Sequence, residues 1–557
     1  MGALAAAGRL LAAVILVGPV AAGLLFTLLP AFGWLPALGG ERPTLQPFAD
    51  LLAAPGVFRS AGLSFATGLA ATFLSGALAA LFLAGFWGTK PFERLQTLLS
   101  PLLALPHAAA AFALAFLVAP SGFVFRLVSP EWTGWTAPPD ILIVHDPWGL
   151  TLTVALVVKE VPFLLLVALA ALPQTRATET ARLSTSLGYG RVAGFLFGIW
   201  PLLYRQIRLA VLAVLAFSTS VVDMAVILGP TLPPTLSVRI VEWSLDPDLS
   251  KRFLASAGAV LQLGVSGLAI LAWIAGERLF RVLSDRVAER GRRLSRDGLL
   301  RGTVLALQGG ATASLYGGLA VLGLWSAARL WPFPDALPQN FTIETWVRAL
   351  PRLAPLLGTS MLIAGIAAAV ALLVAVLAFL PRGQGRPPRN IPAPLLFLPL
   401  LVPQTSFLFG LQLLFLVLGA LPDASAVVAA HLVFVLPYAM LSLGPPWASF
   451  DPRFEQVAAS LGRGPWAALL RVRLPMLLPA LLTAFAIGFA VSAGLYLPTL
   501  LVGGGRVATV TTEAVALASG GNRRVIGAYA LVQAFLPALG FALALLVPRA
   551  LQRLRFT

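Results

Sequence analysis

Twelve apolar stretches, each long enough to cross a bilayer, limit what this 557-residue chain can fold into. A hydrocarbon core of about 30 Å is crossed by about 20 apolar residues in a helix, and only helices or closed barrels satisfy their backbone polar groups there. Barrel strands would alternate polar and apolar residues over segments of about 10. These stretches do not alternate. They fall near residues 10–30, 59–87, 97–119, 148–172, 204–229, 253–280, 303–331, 355–380, 392–419, 424–446, 476–502 and 525–547, which predicts an all-α polytopic membrane protein. Composition agrees, with 59% hydrophobic and 11% charged residues where soluble domains carry about 25% charged. The run from Arg9 to Leu29 exceeds the apolar region of a signal peptide, about 7–15 residues, and reads as an uncleaved first span.

With no cysteine, the chain has no disulfide framework, thiolate metal site or cysteine nucleophile. The net charge of +17 is spread between hydrophobic runs rather than gathered on a soluble face, so no nucleic-acid partner is expected. With the N-terminus placed in the cytoplasm, the cytoplasmic segments hold about 26 Lys and Arg against about 12 outside, so both termini are expected there. The largest basic block, RVLSDRVAERGRRLSRDGLLR (281–301), reads as a cytoplasmic linker beside anionic headgroups. It separates two expected halves of six spans, 1–280 and 303–557, with 281–302 between them.

Sliding one half along the other exposes an internal repeat. Shifted by 274 positions, SLGYGRVAGFLFGIWP (186–201) falls on SLGRGPWAALLRVRLP (460–475), pairing Gly188 with Gly462, Gly190 with Gly464 and Pro201 with Pro475. The same shift carries Ser218 onto Ser492 and Thr235 onto Thr509. Before the fourth span the shift is about 297, which pairs Pro106 with Pro403 and Ser64 with Ser360. Each copy of the repeated segment is polar, amphipathic and interrupted by glycine, between the fourth and fifth spans of its half. Such a segment lies on lipid, covers the chain's own span ends, or serves as a handle for a partner.

The spacing, SLG followed thirteen residues later by Pro, resembles the EAA loop of ABC importer permeases. In the second copy Gly462 matches the motif glycine, Val472, Leu474 and Pro475 its end, and Gln456, Val457 and Ala458 its E-A-A positions, with Glu455 one residue early. In the first copy Arg182, Leu183 and Ser184 replace E-A-A, and the nearest acid is Glu179. The stretches ALVVKEVPFLL (155–165), STSVVDMAVILGPTLPPTL (218–236) and TVTTEAVALASGG (509–521) are similar to the YnjC-like fused permeases, which carry two permease halves on one chain. The resemblance implies a bacterial inner-membrane importer subunit whose two loops dock on two copies of a cytoplasmic ATPase. It also implies a periplasmic or lipid-anchored substrate-binding protein. The chain has no G-x-x-x-x-G-K-[ST] phosphate loop. ATP is therefore expected to be used by the partner, with no cofactor, no metal and no catalytic residue in this chain.

Charged and polar residues inside spans are candidates for the substrate path. Lys159 and Glu160 lie near the middle of the fourth span, with Asp223 in the fifth as the expected partner of Lys159. His107, Gln404, Thr405, Ser406 and His431 complete the set, each with a packing role as the alternative. A twelve-span ion-coupled carrier and, behind it, a polytopic membrane enzyme remain the rival functions.

Overall fold

The computed structural model describes residues 1–291, 293–380, 391–419 and 421–556, without the side chains of 288 and 549–556. Ten of the described helices are long and apolar enough to cross a membrane, or twelve when two sharply bent pairs each count as one span. The first six spans are α1 (Gly2–Ala31), α2 (Val57–Phe86), a third over His107–Leu127, α5 (Leu150–Ala171), α8 (Trp200–Ser220) and α10 (Lys251–Glu289). The third span begins with α4 (His107–Val118), whose cap residue is Pro106, and follows the more polar α3 (Lys90–Leu102). Proline has no N–H to donate and fixes its φ, so a helix restarts after it at no cost in backbone hydrogen bonds. Between α5 and α8 lie α6 (Ala177–Ser186) and the one-turn α7 (Arg191–Gly194). The short α9 (Leu236–Leu245) precedes α10.

The second half repeats this order. Its spans are α11 (Gly298–Ala327), α12 (Glu344–Phe379), the pair α13 (Ala393–Leu401) and α14 (Gln404–Val417), α15 (Ala424–Ala448), α18 and α20. The α13–α14 pair bends by 87° at Val402–Pro403, where Pro403 occupies the place of Pro106. After α15 come α16 (Arg453–Ser460), the one-turn α17 (Pro465–Ala468), α18 (Leu478–Gly494), α19 (Val510–Ala516) and α20 (Arg523–Phe556).

The chain forms two compact units that do not coincide with its sequence halves. One unit contains Met1–Thr27, Val347–Gly520 and Leu531–Thr557. Within it α1 packs on the second half: a Cβ added at Gly8 would meet Leu377 of α12 at 2.6 Å. Gly23 lies against Phe407, and Gly410 against the Gly23 carbonyl, with the Gly410 N–H donating to Thr27 Oγ1 at 3.1 Å. Small residues let helix backbones approach this closely where lipid removes any hydrophobic drive to pack.

The other unit contains Leu28–Trp346 and Gly521–Ala530. Here the first span of the second half, α11, lies on α4 of the first, and a Cβ at Gly318 would strike the Ala113 carbonyl. Position 113 is the counterpart of 410 under the 297-residue shift. Each unit therefore takes the first span of the opposite sequence half and seats it at the same place on its third span.

Candidate functional site

The repeated segment folds the same way twice. In the first copy α6 ends at Ser186, the turn passes through Gly188 at φ +81°, and α7 starts after Gly190 at φ −60° and ψ 157°. In the second, α16 ends at Ser460, Gly462 sits at φ +72°, and α17 starts after Gly464 at −65° and 163°. The left-handed turn residue is glycine in both because a Cβ there is strained. A single π-helical turn then follows at Phe195–Ile199 and at Leu469–Arg473, before Pro201 and Pro475 open the next helical segments. Aligned positions hold aligned conformations along the whole segment.

Both loops present apolar side chains outward. Leu183 is 65% and Leu187 59% exposed in the first; Val457 is 58% and Leu461 73% exposed in the second. Glu179 and Gln456 are exposed. Glu455 instead accepts a hydrogen bond from Arg473 Nη1 at 3.1 Å, while Arg473 Nη2 donates to the Trp447 carbonyl at 2.9 Å. The guanidinium lies 4.5 Å from the Trp447 ring centroid. Arg473 lies 18 residues from Glu455, so no helical spacing rule pointed to this clamp.

Another pair of interactions also recurs. Ser64 Oγ accepts from the Leu236 N–H and Ser360 Oγ from the Val510 N–H, each at 3.0 Å, at the starts of α9 and α19. The two amides align under the 274-residue shift and the two serines lie within one residue of the 297-residue shift, so the repeat extends to individual hydrogen bonds.

The intramembrane polar groups are arranged differently from the sequence expectation. Lys159 and Asp223 do not pair. Lys159 Nζ donates to the Leu102 and Leu103 carbonyls at 3.4 Å, at the end of α3 where the helix break leaves acceptors free. Asp223 accepts from the Met224 N–H at 2.9 Å. It is Glu160 that finds a partner in the same region: its carboxylate lies 3.1 Å from His107 Nε2, and the imidazole lies 4.6 Å from the Phe217 ring. Adjacent residues on α5 point about 100° apart, which sends Lys159 and Glu160 to different neighbours. Periodicity gives that divergence but not the identity of the neighbour.

His431 is 1% exposed, and both of its ring nitrogens are occupied. Nδ1 lies 2.7 Å from Ser492 Oγ and Nε2 2.9 Å from Thr499 Oγ1. The Thr499 hydroxyl donates its single proton to the Leu495 carbonyl, so it accepts from Nε2–H. The ring braces three helical segments. In the first half its counterpart is Val157, and the Ser218 hydroxyl, aligned with Ser492, is buried without a hydrogen-bond partner among the described residues. Gln404, half-buried, opens α14 beside the fully buried Thr405, whose hydroxyl is likewise unpartnered. No group of three or more His, Cys, Asp or Glu side chains able to hold a metal occurs among the described residues.

Two six-span sets, crossed first spans and paired loops define a fused transport permease. The chain belongs to the ABC transporter permease family: over 473 residues it is 32% identical to the inner membrane ABC transporter permease protein YnjC of Escherichia coli, covering 85% of this chain and 84% of that one. Shorter matches reach the permease protein PhnV of Salmonella typhimurium, named for a 2-aminoethylphosphonate transport system (30% over 189 residues, 33% of this chain and 70% of that one), and the molybdenum transport permease ModB of Mycobacterium tuberculosis (33% over 147 residues, 24% and 54%). No family model and no solved structure matches the chain. It is a multi-pass membrane permease subunit and not itself an enzyme.

Proposed function

We propose that this chain forms both membrane halves of an ABC importer and is driven by two copies of a separate ATPase that grip its two loops. The loops and both termini then face the cytoplasm, in keeping with the excess of Lys and Arg assigned to that side. A binding protein delivers substrate to the opposite face. The observation that carries this reading is the loop itself. One backbone conformation, with outward apolar side chains, is kept twice while the flanking side chains have diverged. Apolar side chains left exposed at the same positions of both loops suit a pair of identical partner subunits.

Closure of the ATPase pair would push α6–α7 and α16–α17 together and rock the helices that follow them. Within the unit holding the first loop, Lys159, Glu160, His107 and Asp223 line the path, with Gln404 and His431 assigned to the corresponding region of the second. The relatives named for 2-aminoethylphosphonate and molybdenum transport, together with a buried Lys159 that has no carboxylate within ion-pair distance among the described residues, favour a substrate bearing an anionic group.

Gly462→Arg tests the coupling role. A Cβ at Gly462 enters open space, so the damage comes from the φ of +72° and from the long side chain on the docking surface. The variant is expected to reach the membrane in normal amount yet lose co-purification with the ATPase, and Gly188→Arg should do the same more mildly. Normal co-purification of both variants would show that these loops are not the handle.

A further inference from the structure

The first loop lacks the clamp that braces the second. Glu455, Arg473 and Trp447 correspond to Ala181, Ile199 and Pro173, none of which can form a charged pair. The turn of the first loop is instead covered by the basic linker. The Gly190 N–H donates to the Arg293 carbonyl at 3.0 Å, and the Val192 N–H, in the first turn of α7, donates to Asp297 Oδ2 at 3.0 Å. A Cβ on Gly190 would strike the Leu294 carbonyl, and one on Gly188 would meet Arg293 Nη1 at 3.0 Å. At the second loop the same additions at Gly462 and Gly464 meet nothing within 4 Å among the described residues.

The covering segment is itself tied to the end of α2. Arg301, one turn along α11 from Asp297, places its guanidinium 5.3 Å from the Phe86 ring centroid and 3.9 Å from Asp297 Oδ1. Arg191, at the start of α7, donates to the Trp87 carbonyl. Turn, linker and the end of the second span thus form one hydrogen-bonded cluster. Pro465 at the matching start of α17 has no N–H, so that turn presents one, on Trp466, where Arg191 and Val192 present two, and Asp297 takes the one on Val192.

We infer that the linker is a built-in part of the first coupling site, and that Asp297 and Arg301 are positioning residues that hold the first loop in the shape the Glu455–Arg473 clamp imposes on the second. This rests on the coupling role proposed above. The linker has a second task beyond joining two halves: it restores symmetry to a pair of loops whose sequences have drifted apart. The ATPase copy on the first loop would accordingly meet Arg293 and Leu294 as well as α6.

Two readouts on the full-length protein test this. Hydrogen exchange of the purified chain alone reports the brace without any partner. Asp297→Ala should speed exchange across 188–194 about fivefold or more, as expected for a lost capping acceptor, and leave 461–468 unchanged. Asp297→Asn, which keeps an acceptor oxygen, should retain most of the protection. The second readout is the yield of the ATPase that co-purifies with the tagged chain from native membranes. It should fall several-fold in Asp297→Ala and Arg301→Ala, recover in Asp297→Asn, and stay at the wild-type value in Arg296→Ala. Unchanged exchange in Asp297→Ala overturns the brace. Faster exchange with unchanged ATPase yield, in a series where Arg473→Ala lowers that yield, overturns the positioning role while leaving the coupling role standing. If Arg473→Ala also leaves the yield unchanged, the coupling role itself fails, and this inference with it.

Discussion

At the scale of single residues, charge in the membrane was visible in the sequence but its pairing was not. Helical periodicity placed Lys159 and Glu160 on different faces, which the structure bears out, yet it had no means of choosing between Asp223 and the backbone as the neighbour of Lys159. The carbonyls of Leu102 and Leu103 are free to accept because α3 ends there, ahead of Pro106. A consequence can be measured. His107 and Glu160 are in contact and should couple: with either removed, the other loses its partner, at a cost of about 1–3 kcal/mol, and the double substitution His107→Ala with Glu160→Gln should cost less than the sum. Lys159→Met and Asp223→Asn share no contact and should add within about 0.5 kcal/mol. Thermal unfolding of the six variants in detergent gives both comparisons, and the reverse pattern would restore the Lys159–Asp223 pair.

At the scale of elements, the loop was the most legible feature because it is written in glycines. A residue at positive φ is so restrictive that Gly188 and Gly462 mark the turn in any register, and the pairing by 274 residues carried the π-turns along with it. The helix crossings were far less legible. Gly23, Gly318 and Gly410 look like other glycines in apolar runs, and only the fold shows that a neighbouring backbone lies against them. Gly410→Leu should therefore open the α1–α14 crossing and reduce the yield of folded protein sharply, at a cost of about 1–3 kcal/mol or more. Gly358→Leu and Gly365→Leu on α12, where an added Cβ meets nothing within 4 Å, should be tolerated. Size-exclusion profiles of the three variants in mild detergent decide the point; equal loss in all three would mean that close packing at Gly410 is not what fixes the crossing.

At the scale of the whole molecule, hydropathy counted the spans and the repeat explained their order, so the fold class followed from the sequence. Which helices pack together did not, because lipid-facing and protein-facing surfaces are both apolar and the hydrophobic pattern is nearly silent about partners. The exchange of first spans, α1 into one unit and α11 into the other, is of that kind. The linker is another: its arginines suggested headgroups, and the contacts that distinguish it come from one carbonyl and one carboxylate. The central claim is that two loops of one chain serve two copies of one ATPase. The absence of cysteine makes a direct measurement possible, since Leu183→Cys and Val457→Cys each introduce a single exposed thiol. With a short thiol-reactive photo-crosslinker in native membranes, each variant is predicted to yield an adduct with the same polypeptide, identified by its phosphate-binding loop, and the Gly462→Arg background should abolish the adduct at position 457. Adducts to lipid or to the chain itself at both positions, with none to an ATPase, would contradict the account.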